Sequence, residues 1–478
     1  MEEKRPANQP STTAPTDTPH LKGKDAACGG ARQESGASAA ASELVRIERM
    51  SYGPAAVGRL ASGKTVFVEG AVPGDEVRVA IDEEKPRFAR GRVAELVAPS
   101  PERVAPPCAL ACGGCPWAIL SYDAQLAAKR ASVVDALTRT AHMDAARAEA
   151  LVAPCAPSKR QWGYRNKLEL SCGTDAAGRL ILGMRPESGA DVVSLDTCPL
   201  AHRTIEGAPK ALRGALRYLS GSEDLGLFRV GVRGSLRTRD VEIALWTTPG
   251  AFPRAAAAKT LASALKNTSV VRVVAEPGRA RKVKKVEALS GKGCWEEELA
   301  GARFLVSAPS FFQVNTAQAE KLVELVLAGL QVRKGDYVAD LYSGAGTFSL
   351  PLAAAGAEVV AVESAGSSVR DLRRNAERAG VEIDVVGGDA ARELPELGDL
   401  DALVVDPPRA GLADGVVASI AAAAPRRVAY VSCDPATWAR DVARFEREGY
   451  RLADATPVDL FPQTYHVEVV SIFERCGS

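Results

Sequence analysis

Three side chains in the last quarter of the chain have the types and spacing for covalent chemistry. Cys433 sits in Tyr430-Val431-Ser432-Cys433-Asp434-Pro435, directly after a short apolar run that reads as a buried strand. Asp406 opens Asp406-Pro407-Pro408-Arg409, 27 residues upstream, and Glu468 lies 35 residues downstream. A thiolate is a nucleophile and a carboxylate can take a proton. Together they permit sulfur to add to a conjugated ring, an electrophile to be captured at the adjacent carbon, a proton to leave and the sulfur to be expelled. No His flanks Cys433, which speaks against a Cys–His protease pair. His466 could pack or orient the turn before Glu468. Alone, Cys433 reads better as an inert buried thiol, since free Cys is among the most buried residue types. Glu468 alone reads as a surface strand carboxylate. The spacing with Asp406 weighs against both readings.

From about residue 306, strands and helices alternate. Buried-strand runs occur at 338–341, 359–362, 383–386, 402–405 and 428–431, with helical segments such as 368–379 between them. Val467 to Phe473 supplies a final, antiparallel strand. This is the grammar of an open, doubly wound α/β sheet, Rossmann-like in class. The first strand runs into Asp340-Leu341-Tyr342-Ser343-Gly344-Ala345-Gly346, where the glycines allow a tight turn and close approach of a ligand. Glu363 ends the second strand, where a carboxylate can accept both ribose hydroxyls. Asp389 follows the third, in reach of an adenine edge, and Asp406 ends the fourth. The loop lacks the Gly-Lys-Ser/Thr ending of a nucleoside-triphosphate site. An adenosyl compound without pyrophosphate fits best. With a sulfonium donor, the thiol chemistry becomes addition at C6 of uracil and alkylation at C5. Arg409 could favour charge on the uracil carbonyl or on the thiolate. Methyltransferases acting on exocyclic amines usually carry an aromatic residue after Asp-Pro-Pro, and RNA cytosine-C5 enzymes usually carry a Cys after the prolines; here neither follows.

The other elements must hold this site against its substrate. The chain has 478 residues, 46% hydrophobic, enough for about three domains. Its net charge of +1 means that any nucleic-acid surface arises from local segregation of charge. Residues 1–41 read as a disordered tail. Residues 42–98 read as an OB-like β-barrel, with Lys85, Arg87, Phe88, Arg90 and Arg92 as a basic, aromatic edge that could hold RNA or simply be solvated. Residues 99–305 form a mixed, β-rich central domain. Within it 117–150 read as helical, with Leu120, Leu126, Val133-Val134 and Leu137 on an apolar stripe, and the part over 117–143 is expected to pack on the catalytic domain of 306–478. Seven Lys/Arg between Arg272 and Lys292 form a second candidate phosphate-binding stretch. No secretory signal or spanning apolar run is present, so the chain is expected in the cytoplasm.

Phe311-Phe312-Gln313-Val314-Asn315, the Asp340–Phe348 loop, Asp406-Pro407-Pro408-Arg409-Ala410-Gly411, Ser432-Cys433-Asp434-Pro435 and Phe461-Pro462 through Glu468 resemble the uracil-C5 RNA methyltransferase family. The resemblance runs from about residue 42 onward. The β unit is similar to the TRAM domain of the ribosomal-RNA branch, and Tyr164-Arg165-Asn166-Lys167 to a central-domain segment of that family. The resemblance implies Cys433 as nucleophile and Glu468 as general base. It implies S-adenosyl-L-methionine contacts from Gln313, Tyr342, Glu363 and Asp406, to which the loop reading adds Asp389 and Gly344. It implies RNA as partner, 23S rRNA first and tRNA as the alternative, with no membrane and a monomeric chain.

The chain has ten cysteines, too few for a disulfide scaffold. Cys108, Cys112 and Cys115, with the distant Cys198, offer four thiolates for an iron–sulfur cluster or structural zinc. The resemblance implies a [4Fe–4S] cluster. Relatives usually place five residues between the first two ligands; here there are three. The Cys-x3-Cys-x2-Cys triplet is also that of radical S-adenosylmethionine enzymes. Those leave one iron open and continue into a βα barrel, whereas here a fourth Cys, a β-rich region and a separate cofactor fold follow. Cys28, Cys155, Cys172, Cys294 and Cys476 receive no role.

Overall fold

Alternate residues of each catalytic strand enter opposite cores. Ala339, Val360, Leu403 and Val428 point into one, and Val338, Val359, Val404 and Ala429 into the other. A sheet buried on both faces must be apolar at every position, which is why the strands read as continuous runs. The computed structural model describes residues 42–109, 111–186, 189, 191–221, 224–278 and 282–477. The tail of 1–41, Cys28, Arg279 and Arg281 lie outside them.

The catalytic sheet has seven strands in the order Ile383–Gly387, Glu358–Glu363, Tyr337–Leu341, Ala402–Val405, Arg427–Ser432, Glu468–Arg475, Tyr450–Val458. The first five are parallel. Glu468–Arg475 inserts antiparallel between Arg427–Ser432 and the edge strand. The antiparallel final strand agrees with the sequence reading, but the edge strand Tyr450–Val458 was not anticipated. Its charged residues and Pro457 mask a strand that the neighbouring Glu468–Arg475 recruits by pairing.

At the other end, Glu43–Met50, Ala56–Arg59, Thr65–Glu69, Phe88–Ala98 and Glu76–Glu84 close a five-stranded barrel in that spatial order. Its core of Val45, Ile47, Val66, Val68, Val77 and Val79 is capped by Trp117 and Leu120. A seven-stranded central sheet follows, with helices Ala208–Ser220 and Arg254–Ala264 packed against it.

The helical stretch expected over 117–150 forms two helices, Tyr122–Arg139 and Ala145–Leu151, separated at a turn where His142 has φ of 55°. Val133, Val134 and Leu137 of the first share a core with Trp438, Phe445 and Leu452 of the catalytic domain. Leu126 of the expected stripe is only half-buried, and Gln125 and Lys129 are buried instead. Lys129 forms an ion pair with Asp459, both side chains being wholly buried. Tyr122 Oη donates to the other Asp459 oxygen at 2.6 Å, and Lys129 Nζ to the Phe461 carbonyl at 3.0 Å. The helix therefore clamps the start of the loop that leads into Glu468–Arg475.

The two basic stretches are largely neutralised. Arg90 and Arg92 pair with Glu83 and Asp82 across their hairpin, and Arg90 lies over the rings of Phe67 and Phe88. Arg272, expected to face phosphate, is 2% exposed, pairs with Glu287 and lies over the Phe252 ring. Lys284, Lys285 and Lys292 also pair with carboxylates. Buried cations need such partners, so Arg272 serves the fold.

Candidate active site

The antiparallel register between the two strands carrying the reactive groups determines the site. Ser432 faces Val469 in the last pair of the ladder, and Cys433 and Glu468 are the next residues along the two chains, near enough for the Glu468 charge to act on the thiol. Glu468 is 5% exposed at the first position of its strand. Cys433 is a free, half-buried thiol just before the helix Pro435–Arg447, whose N-cap Asp434 accepts from the N–H groups of Ala436 and Thr437. Asp406 and Arg409 reach both groups electrostatically. The Arg409 loop is pinned by Thr437 Oγ1, which donates to the Arg409 carbonyl at 3.0 Å.

Burial pushes the Cys433 thiol up to about 12, helped by the negative charges of Glu468 and Asp406 and opposed by Arg409. The helix N-terminus also favours a thiolate, by about 0.3–1 kcal/mol, less than the ~1.4 kcal/mol of one pKa unit, so burial prevails. Burial, with Asp406 again adding, holds the Glu468 carboxyl well above the usual carboxylate range, and Arg409 again opposes. Burial also brings His466 down to about 4, leaving a neutral ring near neutral pH.

Carboxylates gather at the carboxyl ends of the parallel strands. Burial raises Asp406 to about 7, and burial with the nearby charges of Asp406 and Glu363 raises Asp340 to about 7. Asp340 is wholly buried; Ser349 Oγ donates to one of its oxygens, while the other has no hydrogen-bond partner. An orphaned buried carboxylate oxygen among like charges calls for a cationic or hydroxyl-bearing ligand. Glu363 accepts the N–H groups of Gly344 at 2.9 Å and Ala365 at 2.6 Å, which orients its carboxylate beside the turn. Gly344 has φ of 57° and Tyr342 φ of 64°, the latter a left-handed conformation uncommon for a bulky residue. At Gly346, φ is 99° and an added Cβ would lie 2.5 Å from Leu350 and from Leu372. Asp389 N-caps the helix Ala390–Glu393. Gln313 is buried on a loop held by Asn166, whose side chain donates to the Gln313 carbonyl at 2.9 Å. These features fit an S-adenosyl ligand: polar groups for its ribose and base, and negative charge for its sulfonium.

Sequence reasoning missed Tyr52, on the turn between the first two barrel strands. Tyr52 Oη donates a long hydrogen bond of 3.4 Å to the Cys433 carbonyl, and its ring meets Tyr465 edge-to-face at 5.8 Å. Its phenol pKa is raised by burial, then by the charges of Asp434, Cys433 and Glu468, with Arg409 opposing. Trp117 Nε1 donates to the Gly53 carbonyl at 3.0 Å and secures the turn. Nothing in Ser51-Tyr52-Gly53-Pro54 distinguishes it from an ordinary hairpin, since its partner lies 381 residues away.

Gln463, in the loop before Glu468, is buried. Its side chain and backbone exchange hydrogen bonds with Gln125 at 3.0 and 2.9 Å. Of the four cluster cysteines, Cys115 lies within electrostatic reach of Cys198, Cys112 and Cys108, and the N–H groups of Leu200 and Ala201 bond to Cys198. Among the described residues, no three His, Cys, Asp or Glu side chains are gathered as a metal site. The donor chemistry of four thiols suits iron.

Residues 43–94 match the TRAM domain, and residues 255–394 and 396–476 match the family model described as tRNA (Uracil-5-)-methyltransferase. An uncharacterized RNA methyltransferase of Gloeobacter violaceus is 36% identical, over 90% of this chain and 96% of the relative. A protein described as 23S rRNA (uracil(1939)-C(5))-methyltransferase RlmD, from Alkalilimnicola ehrlichii, is 33% identical over 86% of this chain and 92% of the relative. Among solved structures, the Pyrococcus abyssi tRNA (uracil-54, C5)-methyltransferase in complex with S-adenosyl-L-homocysteine aligns with a TM-score of 0.70 at 26% identity, covering 91% of this chain and 100% of that one. Barrel, cofactor sheet and relatives agree, and the chain belongs to the S-adenosylmethionine-dependent RNA (uracil-C5) methyltransferases.

Proposed function

We propose that the chain methylates C5 of a uridine in 23S rRNA through a covalent adduct between Cys433 and C6 of the base. The observation that carries this reading is the strand register ending at Ser432 and Val469, which leaves Cys433 and Glu468 next along the two chains and in electrostatic reach, with Arg409 acting on both. Bound S-adenosylmethionine supplies an electrophilic methyl group. Cys433 Sγ, once deprotonated, adds to C6 and forms the S–C6 bond, and the ring electrons move to C5 and O4. C5 takes the methyl group. Glu468 in its carboxylate form removes the C5 proton, and the electron pair of that C–H bond re-forms the C5–C6 double bond as the S–C6 bond breaks. Arg409 holds positive charge beside both anions. Asp340, Asp406, Glu363, Asp389, Gln313, Tyr342 and Gly344 form the cofactor edge. The base must leave its stack for Sγ to reach C6.

The ribosomal substrate rests on the RlmD relative, and the protein is expected to act in the cytoplasm as a monomer. Transfer RNA is the second reading, favoured by the alignment with the Pyrococcus enzyme. Methyl transfer to 23S rRNA and tRNA transcripts, followed by nuclease digestion and mass spectrometry, decides between them. Loss of product with Cys433→Ala supports the thiol mechanism; retained activity would favour an amine-directed enzyme using Asp406-Pro407-Pro408.

Cys108, Cys112, Cys115 and Cys198 are proposed as ligands of a structural [4Fe–4S] cluster. Four reduced thiols in one electrostatic neighbourhood, and N–H donors to the Cys198 sulfur, support this. Anaerobic purification with iron and sulfide analysis tests it; an iron-free, fully folded protein would overturn it.

A further inference from the structure

Most cations of the barrel hairpin and the central sheet are paired, Arg87 and Lys282 excepted, so positive charge free to meet phosphate is sparse there. Arg160 and Arg203 are exposed, and neither makes an ion pair among the described residues. Both line an open groove of about 640 Å³, together with Trp162, Pro199 and Glu206. Burial, then the charges of Arg160 and Arg203, hold the His202 imidazole below its ordinary pKa, so the two guanidiniums act on one locality.

The backbone around Trp162 is fixed on both sides. The Gln161 carbonyl accepts from Gln463 Nε2 at 3.3 Å, and Tyr164 Oη donates to the Pro462 carbonyl at 3.2 Å. Gly163 N donates to the Pro199 carbonyl at 2.9 Å and Arg165 N to the Leu200 carbonyl at 2.9 Å. The first two bonds reach the loop that ends at Glu468; the others reach the turn after Cys198. Trp162 is half-buried and so keeps part of its ring on the groove. An aromatic face flanked by free guanidiniums matches single-stranded RNA, which offers an unstacked base for the ring and phosphates for the cations.

We infer that the Arg160–Trp162–Arg203 groove is an RNA subsite that holds an unpaired nucleotide flanking the target uridine, its base on Trp162 and its phosphates on Arg160 and Arg203. The inference rests on the uridine-methylating reading for the identity of the strand. It assigns recognition outside the reacting base to the central domain.

The test uses full-length protein and a single-stranded RNA fragment of 23S rRNA, with affinity measured across a salt series and methyl transfer to the same fragment measured separately. Trp162→Ala is expected to weaken RNA binding about tenfold, and Trp162→Phe to restore most of it. Arg160→Gln with Arg203→Gln should lower the slope of log affinity on log salt by about 1.4, as expected for two phosphates on a single strand. Binding of S-adenosylhomocysteine at wild-type affinity certifies that each variant is folded. If Trp162→Ala loses that affinity, the Phe variant and the double Arg variant decide. Wild-type RNA affinity and salt slope in the folded variants would overturn the subsite while leaving uridine methylation intact. Weakened binding in a protein that methylates no uridine would keep the groove and remove the reading of the catalytic site.

Discussion

Tyr52, on the barrel, donates a hydrogen bond of 3.4 Å to the carbonyl of Cys433, on the catalytic sheet. The two residues are 381 positions apart, so the barrel forms part of the wall around the thiol. Tyr52→Phe removes the hydroxyl and keeps the ring against Tyr465. A neutral hydrogen bond contributes about 0.5–1.5 kcal/mol, so single-turnover methyl transfer should slow about 2- to 10-fold. Tyr52→Ala also removes the edge-to-face contact and should slow it further. Rapid-quench kinetics with saturating RNA measure both; unchanged rates would confine the barrel to RNA binding.

Arg409 sets the second prediction. Burial and Asp406 raise both Cys433 and Glu468, so in the free enzyme the thiol is largely protonated near neutral pH and the carboxyl holds its proton to a higher pH than usual. The proposed mechanism needs a thiolate and a carboxylate. The rate should therefore rise with pH through the neutral range toward the Cys433 value of about 12. Removing Arg409 takes away the charge that lowers both groups. Arg409→Gln should displace the kcat/KM profile to higher pH and cut activity near pH 7 more than near pH 9. A uniform loss at all pH values would instead assign Arg409 to substrate binding.

The buried Lys129–Asp459 pair gives a third prediction. It ties the helix Tyr122–Arg139 to the loop before Glu468. Removing one partner of a buried pair typically costs about 3–5 kcal/mol, because the other charge is left unpaired. Lys129→Met should lower the thermal midpoint by several degrees and reduce methyl transfer. Lys129→Met with Asp459→Leu should recover most of the stability. Calorimetry and activity on the same samples check this, and a double variant no better than the single one would contradict it.

The catalytic sheet was legible because strands buried on both faces must be apolar throughout, and its first turn carries Gly346, where an added Cβ would strike Leu350 and Leu372. Cys433 and Glu468 became candidates through their spacing from Asp406 and the family resemblance of the segments that carry them, since each alone reads as an ordinary strand residue. The polar side of the helix Tyr122–Arg139 was not, since Gln125 and Lys129 are buried for partners more than 300 residues away. Periodicity takes such residues for the solvent face. Arg272 failed for the same reason: a Lys/Arg-rich stretch looks like a phosphate surface until Glu287 and the Phe252 ring are placed against it. The Tyr450–Val458 strand depends on pairing with Glu468–Arg475 and has little signal of its own.

The central claim is that Cys433 bonds covalently to the substrate base, and RNA carrying 5-fluorouridine at the target position tests it most directly. With S-adenosylmethionine present, addition and methylation proceed, but fluorine cannot leave as a cation and Glu468 has no proton to remove. The account predicts a denaturant-resistant protein–RNA adduct, mapped to Cys433 by mass spectrometry and absent in Cys433→Ala. An enzyme that methylates ordinary uridine yet forms no adduct, or an adduct that survives in Cys433→Ala, would contradict it.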